Sequence, residues 1–438
     1  MKQYPFREKE IELISREELE LLQLRRLKTT IQQALKTEFY RQRLLPLGID
    51  SPDAIRSLGD LRHIPFTTKE DLRIAFPYGL LAVPLEETVR LHASSGTTGT
   101  PTVIYHTKRD IAAWTDLVAR SLRAADCSKR DVFQNMMTYG LFTGGLGLHY
   151  GAEELGMLVI PAGPGNTLRQ FKLMKDFKTT VVHATPSYML HLYDKLGKVD
   201  VRRTDLHLQK AIVGGEPHSE DIRRKIEALW GIELYNCYGL SELNGPGVAF
   251  ECVERASPHL WEDSYIMEII DPHTLDPLPP GETGELVLTT LRREATPLLR
   301  YRTRDLTSIV TEPCPCGRTH RRINRIKGRT DDMLIINGVN VFPSQIEEVL
   351  MRMKEVGNNY QIVVEKAGAL DKLIVKTEVT PEIFSDDARD LNAIRETIRE
   401  NLKASISISP VVELHEPGIL PAWEGKAKRV VDIREKNV

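Results

Sequence analysis

"KAIVGGEPHSEDIRRKIEALWGIELYNCYGLSE", residues 210–242, decides the fold. KAIV is a short apolar run stopped by Gly214 and Gly215, the pattern of a buried strand ending in a turn. A helix follows that starts at Ser219 and runs to Gly231. IELYNCYGLSE then reads as a second strand. Strand, helix, strand in that order demands parallel pairing, so the chain is of the α/β class. "TTVVHATP", residues 179–186, supplies another buried strand to the same sheet.

Upstream, residues 8–45 carry apolar side chains at helical spacing, with Ser15 and Glu18 set as a capping box. "FTTKEDLRIAF", residues 66–76, repeats that signature with Thr67 and Glu70. Downstream, SYIMEIID, GELVLTTL and LLRYRTRDLTSIV are short strands separated by turns, a β-rich subdomain over about 250–325. After IKGRTDD the texture changes again. MLIING is a strand, PSQIEEVLMRM a helix, NYQIVVEK and KLIVKTEVT strands, and a helix follows near 388–402. The expected architecture is a large N-terminal domain, 1–329, of parallel or mixed sheets with helices, and a small α+β C-terminal domain, 330–438.

The 438 residues can bury a sizeable core and divide into domains. Hydrophobic residues make up 41% and the formal net charge is −2, so neither nucleic acid nor an anionic membrane is an expected partner. No apolar run reaches the roughly 20 residues of a membrane span. The opening MKQYPFREKEIELISREEL lacks the apolar stretch of a secretion signal. Five cysteines in so long a chain do not form a disulfide framework, and a reducing, cytoplasmic setting is expected.

"HASSGTTGTPT", residues 92–102, follows a strand-like run-up. It is not a Walker loop, because no Gly-Lys-Ser/Thr closes it. Gly96 and Gly99 would let backbone N–H groups approach a phosphate, and Ser94, Ser95, Thr97, Thr98 and Thr100 add hydroxyls. On its own the stretch reads equally as a plain connector. Cys252, His259, Cys314 and Cys316 could close a tetrahedral, structural zinc site, with His320 a rival fourth ligand. The C-x-C spacing is tighter than usual ligand spacing, and four ordinary residues in a reducing compartment are the alternative.

YGLSE (238–242), YRTRD (301–305), KGRTDD (327–332) and PAWEGKAKR (421–429) follow SSGTTGTPT (94–102) in order. Together they resemble the core motifs of the acyl-adenylating superfamily. GRTDDMLIINGVNVFPSQIE and TTLRREATPLLRYRTRDL narrow the resemblance to the phenylacetate–CoA ligase branch, over nearly the whole chain. The resemblance implies an ATP-dependent ligase that activates an aryl acid, phenylacetate or similar, as acyl-AMP and passes it to coenzyme A, releasing AMP and pyrophosphate. It implies Mg²⁺ and a homodimer. A carrier-protein thiol as acceptor, and a non-catalytic nucleotide- or zinc-binding relative, stay open.

By the same resemblance, Lys426 supplies the catalytic ammonium and Glu242 holds Mg²⁺. Nucleotide contacts fall to Ser94, Ser95, Gly96, Thr97, Thr98 and Gly99 in the loop. Gly214, Gly215, Glu216 and Pro217 pass behind the adenine, and Tyr238 lies against it. Asn236, Gly239 and Ser241 belong to the same segment. Asp305 accepts from the ribose hydroxyls, and Arg329 reaches ribose or phosphate. Asp331 is the hinge of a mobile lid whose Gly338, Val339 and Asn340 enter the CoA channel. Tyr139 and Phe142 wall an aryl pocket in which Gly144 and Gly145 leave room, with Ala184 opposite; ordinary core packing is the alternative there. The chain departs from many relatives in carrying Thr100-Pro101-Thr102 where they have a lysine, and Arg304 where they have glycine. Without that lysine, phosphate charge must be met by metal, backbone and other cations.

Overall fold

The computed structural model describes residues 4–94, 101–196, 199, 201–367, 370–381, 383, 388–421 and 428–434. The quoted stretch forms strand Lys210–Val213, helix Glu220–Trp230 and strand Glu233–Tyr238, and the two strands pair in parallel. Ser219 caps the helix by accepting from the Ile222 N–H, and Gly231 ends it at φ +61°. Ile222, Ile226 and Trp230 face inward at helical spacing.

These strands sit inside a nine-stranded sheet. Glu233–Tyr238, Lys210–Val213, Val181–Ala184, Val132–Asn135 and Leu158–Ile160 are neighbours in that order, all parallel. Ala249–Phe250, His259–Leu260, Arg322–Ile323 and Ile309–Val310 extend the other edge with antiparallel pairing. The β-rich stretch is therefore divided between two sheets. Its remaining strands, Tyr265–Ile270, Gly284–Thr290 and Tyr301–Thr307, join Gly328–Arg329 in a separate antiparallel sheet.

Beyond Asp332 lie the hairpin Leu334–Ile336 and Val339–Val341, helix Pro343–Arg352, and a four-stranded sheet backed by helix Ala388–Ile406. Strands Val356–Ala367 and Leu370–Val379 form its antiparallel centre. Val411–His415 and Val430–Asp432 flank them in parallel, two short strands that the sequence reading had not resolved. Among the described residues no helix is long and apolar enough to cross a membrane.

Two local readings change. The capping box at 66–76 uses Thr68 and Asp71, one residue later than expected. Thr67 is drawn away: its hydroxyl donates to the Leu299 carbonyl (2.7 Å), and its N–H donates to the Arg300 carbonyl (3.0 Å). The second change is at 143–154, where a glycine-rich stretch read as pocket wall forms helix Thr143–Glu154. Glycine disfavours helix, yet a Cβ on Gly147 would meet Trp114 and one on Gly151 would meet Val118, both on helix Lys108–Ala124. Close helix packing overrides the local propensity.

Candidate active site

Strand Glu233–Tyr238 ends in a turn that carries Glu242 on a one-turn helix, Ser241–Leu243. Glu242 is 4% exposed. Thr102 Oγ1 donates to its Oε1 at 3.1 Å, and Lys69 Nζ stands 3.7 Å from the same oxygen. Ser94 and Thr102 are hydrogen-bonded through their hydroxyls across the strand pair that leads into and out of the glycine loop. The turn is fixed by Arg293, whose Nη1 donates to the Glu242 carbonyl (2.7 Å) and Nε to Asn244 Oδ1 (3.1 Å). Ser241 lies 3.4 Å from the Thr143 hydroxyl. Gly239 has no space for a side chain, since a Cβ there would come within 2.4 Å of Gly245 Cα.

Four residues before Glu242, Tyr238 donates its hydroxyl to Asp305 Oδ2 at 2.6 Å. Arg329 donates to the other Asp305 oxygen at 3.0 Å and grips Asp331 with two bonds of 2.8 Å. Asp305 is thus a buried carboxylate with two donors. Burial pushes its pKa up to about 6, with Arg329 pulling the other way. Burial and the neighbouring Asp305 push the Tyr238 phenol well above its ordinary value.

Gly214 and Gly215 follow strand Lys210–Val213. A Cβ on Gly214 would strike the Cys237 carbonyl, and Gly215 sits at φ +82°. Glu216 accepts from the Ser187 N–H (2.7 Å), and Pro217 is exposed. The Asn236 N–H donates to the Glu251 carboxylate (2.8 Å) and the Asn236 carbonyl accepts from the Glu251 N–H (3.1 Å); burial raises the Glu251 pKa to about 7. Residues 214–217, 236–242, 305 and 329 thus lie on connected elements around the ends of the parallel strands.

Ser95, Gly96, Thr97, Thr98, Gly99 and Lys426 lie outside the described residues. Next to the latter segment, Arg429 places its guanidinium 4.1 Å over the Tyr360 ring and 3.8 Å from Glu347. Gly338 is the second residue of a two-residue hairpin turn, at φ +83° after Asn337 at +51°. Val339 and Asn340 follow on its returning strand, and Asn337 is bonded to Asp371.

On the acyl side, the Tyr139 hydroxyl lies 3.2 Å from His149 Nδ1, and burial pushes the Tyr139 phenol up to about 12. Phe142 is 39% exposed, and the Leu141 carbonyl is pinned to His92 and Ala93. Gly144 and Gly145 do not leave open room. A Cβ on Gly144 would meet the Phe142 ring at 2.7 Å, and one on Gly145 the Thr138 carbonyl at 2.5 Å. Ala184 has no exposed surface and belongs to the core cluster that includes Met136 and Tyr188.

Cys252, His259, Cys314 and Cys316 converge, all buried, with their ligand atoms within 4.8 Å of one another. Cys252 and Cys314 sulfurs are 3.7 Å apart, and Cys316 Sγ is 3.4 Å from His259 Nε2. His259 Nδ1 meets the His320 carbonyl at 2.9 Å, which aims Nε2 at the thiols. His320 is not part of the cluster: its Nδ1 accepts from the Glu262 N–H and its Nε2 meets the Ile11 carbonyl.

Sequence reasoning missed Lys69 and Arg293. Arg293 stood within a recognised motif without an assigned part. Lys69 stood in an amphipathic helix with nothing to mark it.

The AMP-binding enzyme family profile matches residues 79–290, and that of the AMP-binding enzyme C-terminal domain matches 338–434. A phenylacetate-coenzyme A ligase of Thermus thermophilus is 47% identical, over 97% of this chain and 99% of that one. The solved structure of 2-hydroxyisobutyryl-CoA ligase in the postadenylation state, in complex with R3-HIB-AMP, is 27% identical. It superimposes with a TM-score of 0.91, covering 98% of this chain and 92% of that one. The same ligase with 2-HIB-AMP and CoA in its thioesterification state gives 0.70, at 28% identity, over 97% and 92% of the two chains.

Proposed function

This chain belongs to the phenylacetate–coenzyme A ligase family of AMP-binding enzymes, and from that premise we propose which acid it activates and which residues act. It is an AMP-forming acid–CoA ligase: ATP activates a carboxylic acid as acyl-AMP, and the acyl group passes to coenzyme A. The proposed acid is phenylacetate or a close aryl analogue, in keeping with the relatives' activity.

One observation carries the residue assignment. A buried Glu242, held by Thr102, lies on the same turn as Tyr238, whose hydroxyl meets the Asp305–Arg329 pair. Asp305 accepts from the ribose hydroxyls, and Tyr238 offers a flat face to adenine. Glu242, with the Thr102 hydroxyl, is an all-oxygen donor set that suits Mg²⁺. Mg²⁺ supplies charge neutralisation between an attacking carboxylate and a polyanion. Two unit charges about 4 Å apart interact by ~4 kcal/mol at an effective dielectric near 20, so a placed ammonium such as that of Lys426 is worth orders of magnitude in rate. Asp331 is the hinge of the lid 330–438, whose rotation would exchange Lys426 for the 338–340 turn between the two half-reactions. The match to one relative in two differently superimposing states supports that motion.

The thiol cluster fits a structural zinc. Zn–S bonds of about 2.3 Å give a tetrahedral edge of about 3.8 Å, close to the 3.7 Å between Cys252 and Cys314. Cys252, His259, Cys314 and Cys316 would hold the ion and staple the 252–259 and 314–316 segments. Elemental analysis should find one zinc per chain, and Cys314→Ser should lose it. A homodimer and a cytoplasmic site complete the reading, and sedimentation tests the first.

The deciding experiment incubates the purified protein with ATP, Mg²⁺ and a panel of acids, with CoA or a pantetheinylated carrier protein as acceptor. AMP and pyrophosphate should appear with phenylacetate, and thioester with CoA. Loading of the carrier protein alone would move the acceptor; no AMP from any aryl acid overturns the reading.

A further inference from the structure

The loop that approaches the phosphates in this family lacks a lysine here, and its replacement is not visible in any motif. A buried carboxylate requires a counter-charge. Arg293, the guanidinium nearest the Glu242 turn, is committed to the Glu242 carbonyl and to Asn244. Among the described residues, the side chain ion-paired with the Glu242 carboxylate is Lys69, 3.7 Å from Oε1, from a helix 173 residues earlier in the chain.

Lys69 is held there by its backbone. Thr67 is bridged to Tyr301, and the Arg302 N–H donates to the Thr67 carbonyl at 2.9 Å. Tyr40 and Thr67 hydroxyls lie 2.9 Å apart. Thr68 caps the helix that Lys69 begins, and its partner Asp71 is paired with Arg43. The strand Tyr301–Thr307 that anchors this segment also carries Asp305. The side chain itself is partly exposed, 37%, and ends on a flexible four-carbon stem.

We propose that Lys69 binds the β- and γ-phosphates of ATP and steadies pyrophosphate as it leaves, in place of the absent loop lysine. This rests on the reading of Glu242 as the Mg²⁺–ATP residue. With the nucleotide absent, Lys69 neutralises Glu242. With MgATP bound, Glu242 would hold the metal, and Lys69, on a partly exposed flexible stem beside it, would supply an ammonium for the phosphate oxygens. AMP has no β- or γ-phosphate, so Lys69 makes no such contact with it.

The test is calorimetric binding of MgATP and, separately, of AMP to the full chain and to Lys69→Ala, Lys69→Gln and Lys69→Arg. The alanine and glutamine variants should lose roughly 10- to 100-fold in MgATP affinity, the range of one charged hydrogen bond. Their AMP affinity should stay within about twofold, by the same contact argument. The arginine variant should recover most of the loss. The apparent affinity for pyrophosphate in ATP–pyrophosphate exchange should fall in step. Unchanged MgATP binding overturns the assignment. So does an equal loss of ATP and AMP, which marks a structural role. If the unaltered protein binds ATP and forms AMP while Lys69→Ala keeps its affinity, only Lys69 is displaced. If the unaltered protein binds no ATP, both readings fall.

Discussion

Asp305 is itself buried and accepts from Tyr238 at 2.6 Å and Arg329 at 3.0 Å, while the doubly bonded Arg329–Asp331 pair beyond is exposed. Two contacts of helix Pro343–Arg352 and its following strand with the body are exposed. Arg352 reaches Asp221 at 2.8 Å with its own side chain 59% exposed, and Asn358 reaches Asp194 at 3.0 Å in the open. Charged hydrogen bonds out of water contribute about 1.5–3 kcal/mol, whereas exposed ion pairs contribute about 0.2–1 kcal/mol. The Asp305 contacts are the better shielded of the two sets. Arg329 touches both regimes, because it holds buried Asp305 and exposed Asp331 at once.

The largest test of that contrast removes one charge from each side, Lys426 from the 330–438 segment and Glu242 from the body. Lys426→Ala and Glu242→Gln should each cut acyl-adenylate formation, read as pyrophosphate release, by roughly 100-fold or more. Normal release from Lys426→Ala would break the contrast at its centre. Asp331→Pro comes next. A fixed φ at the hinge should slow thioester formation about tenfold more than adenylation, and equal losses would argue against a rotating cap.

Asp305 sharpens the comparison through pH. Its carboxyl is held near pKa 6, above the ordinary carboxylate range, so it takes up a proton as pH falls through 6. The ionised form is the better acceptor, so ATP affinity should rise with pH through that window. Asp305→Asn should flatten the profile and weaken ATP binding about tenfold. A profile unchanged in the variant would place the titration elsewhere. The smallest effect belongs to Arg352→Ala. It should change the balance of the two half-reactions less than about fivefold and leave ATP binding untouched. A hundredfold effect in single-turnover assays would mean the cap is latched, not resting.

The 210–238 unit was legible because each of its signals is local. Gly214 and Gly215 stop a strand, Ser219 starts a helix, and Gly231 ends it, all within one short stretch. The helix Thr143–Glu154 was not legible, because its glycines argue against helix until Trp114 and Val118 of another helix press on them. The cap shifted from Thr67 to Thr68 for a similar reason, since Thr67 is used by Tyr40 and Leu299. The thiol cluster was half legible: four ligands could be named, but the choice of His259 over His320 depended on which ring faced the sulfurs.

By itself, the sequence determined the parallel α/β body and the order of its motifs, because periodicity, caps and turn glycines act over a few residues. Only the tertiary structure decided that Gly144 and Gly145 make room for the chain's own Phe142 and Thr138, that Arg293 clamps the Glu242 turn, and that Lys69 stands against Glu242. Those contacts join residues far apart in the chain, and no local pattern records which distant side chain will fill the space.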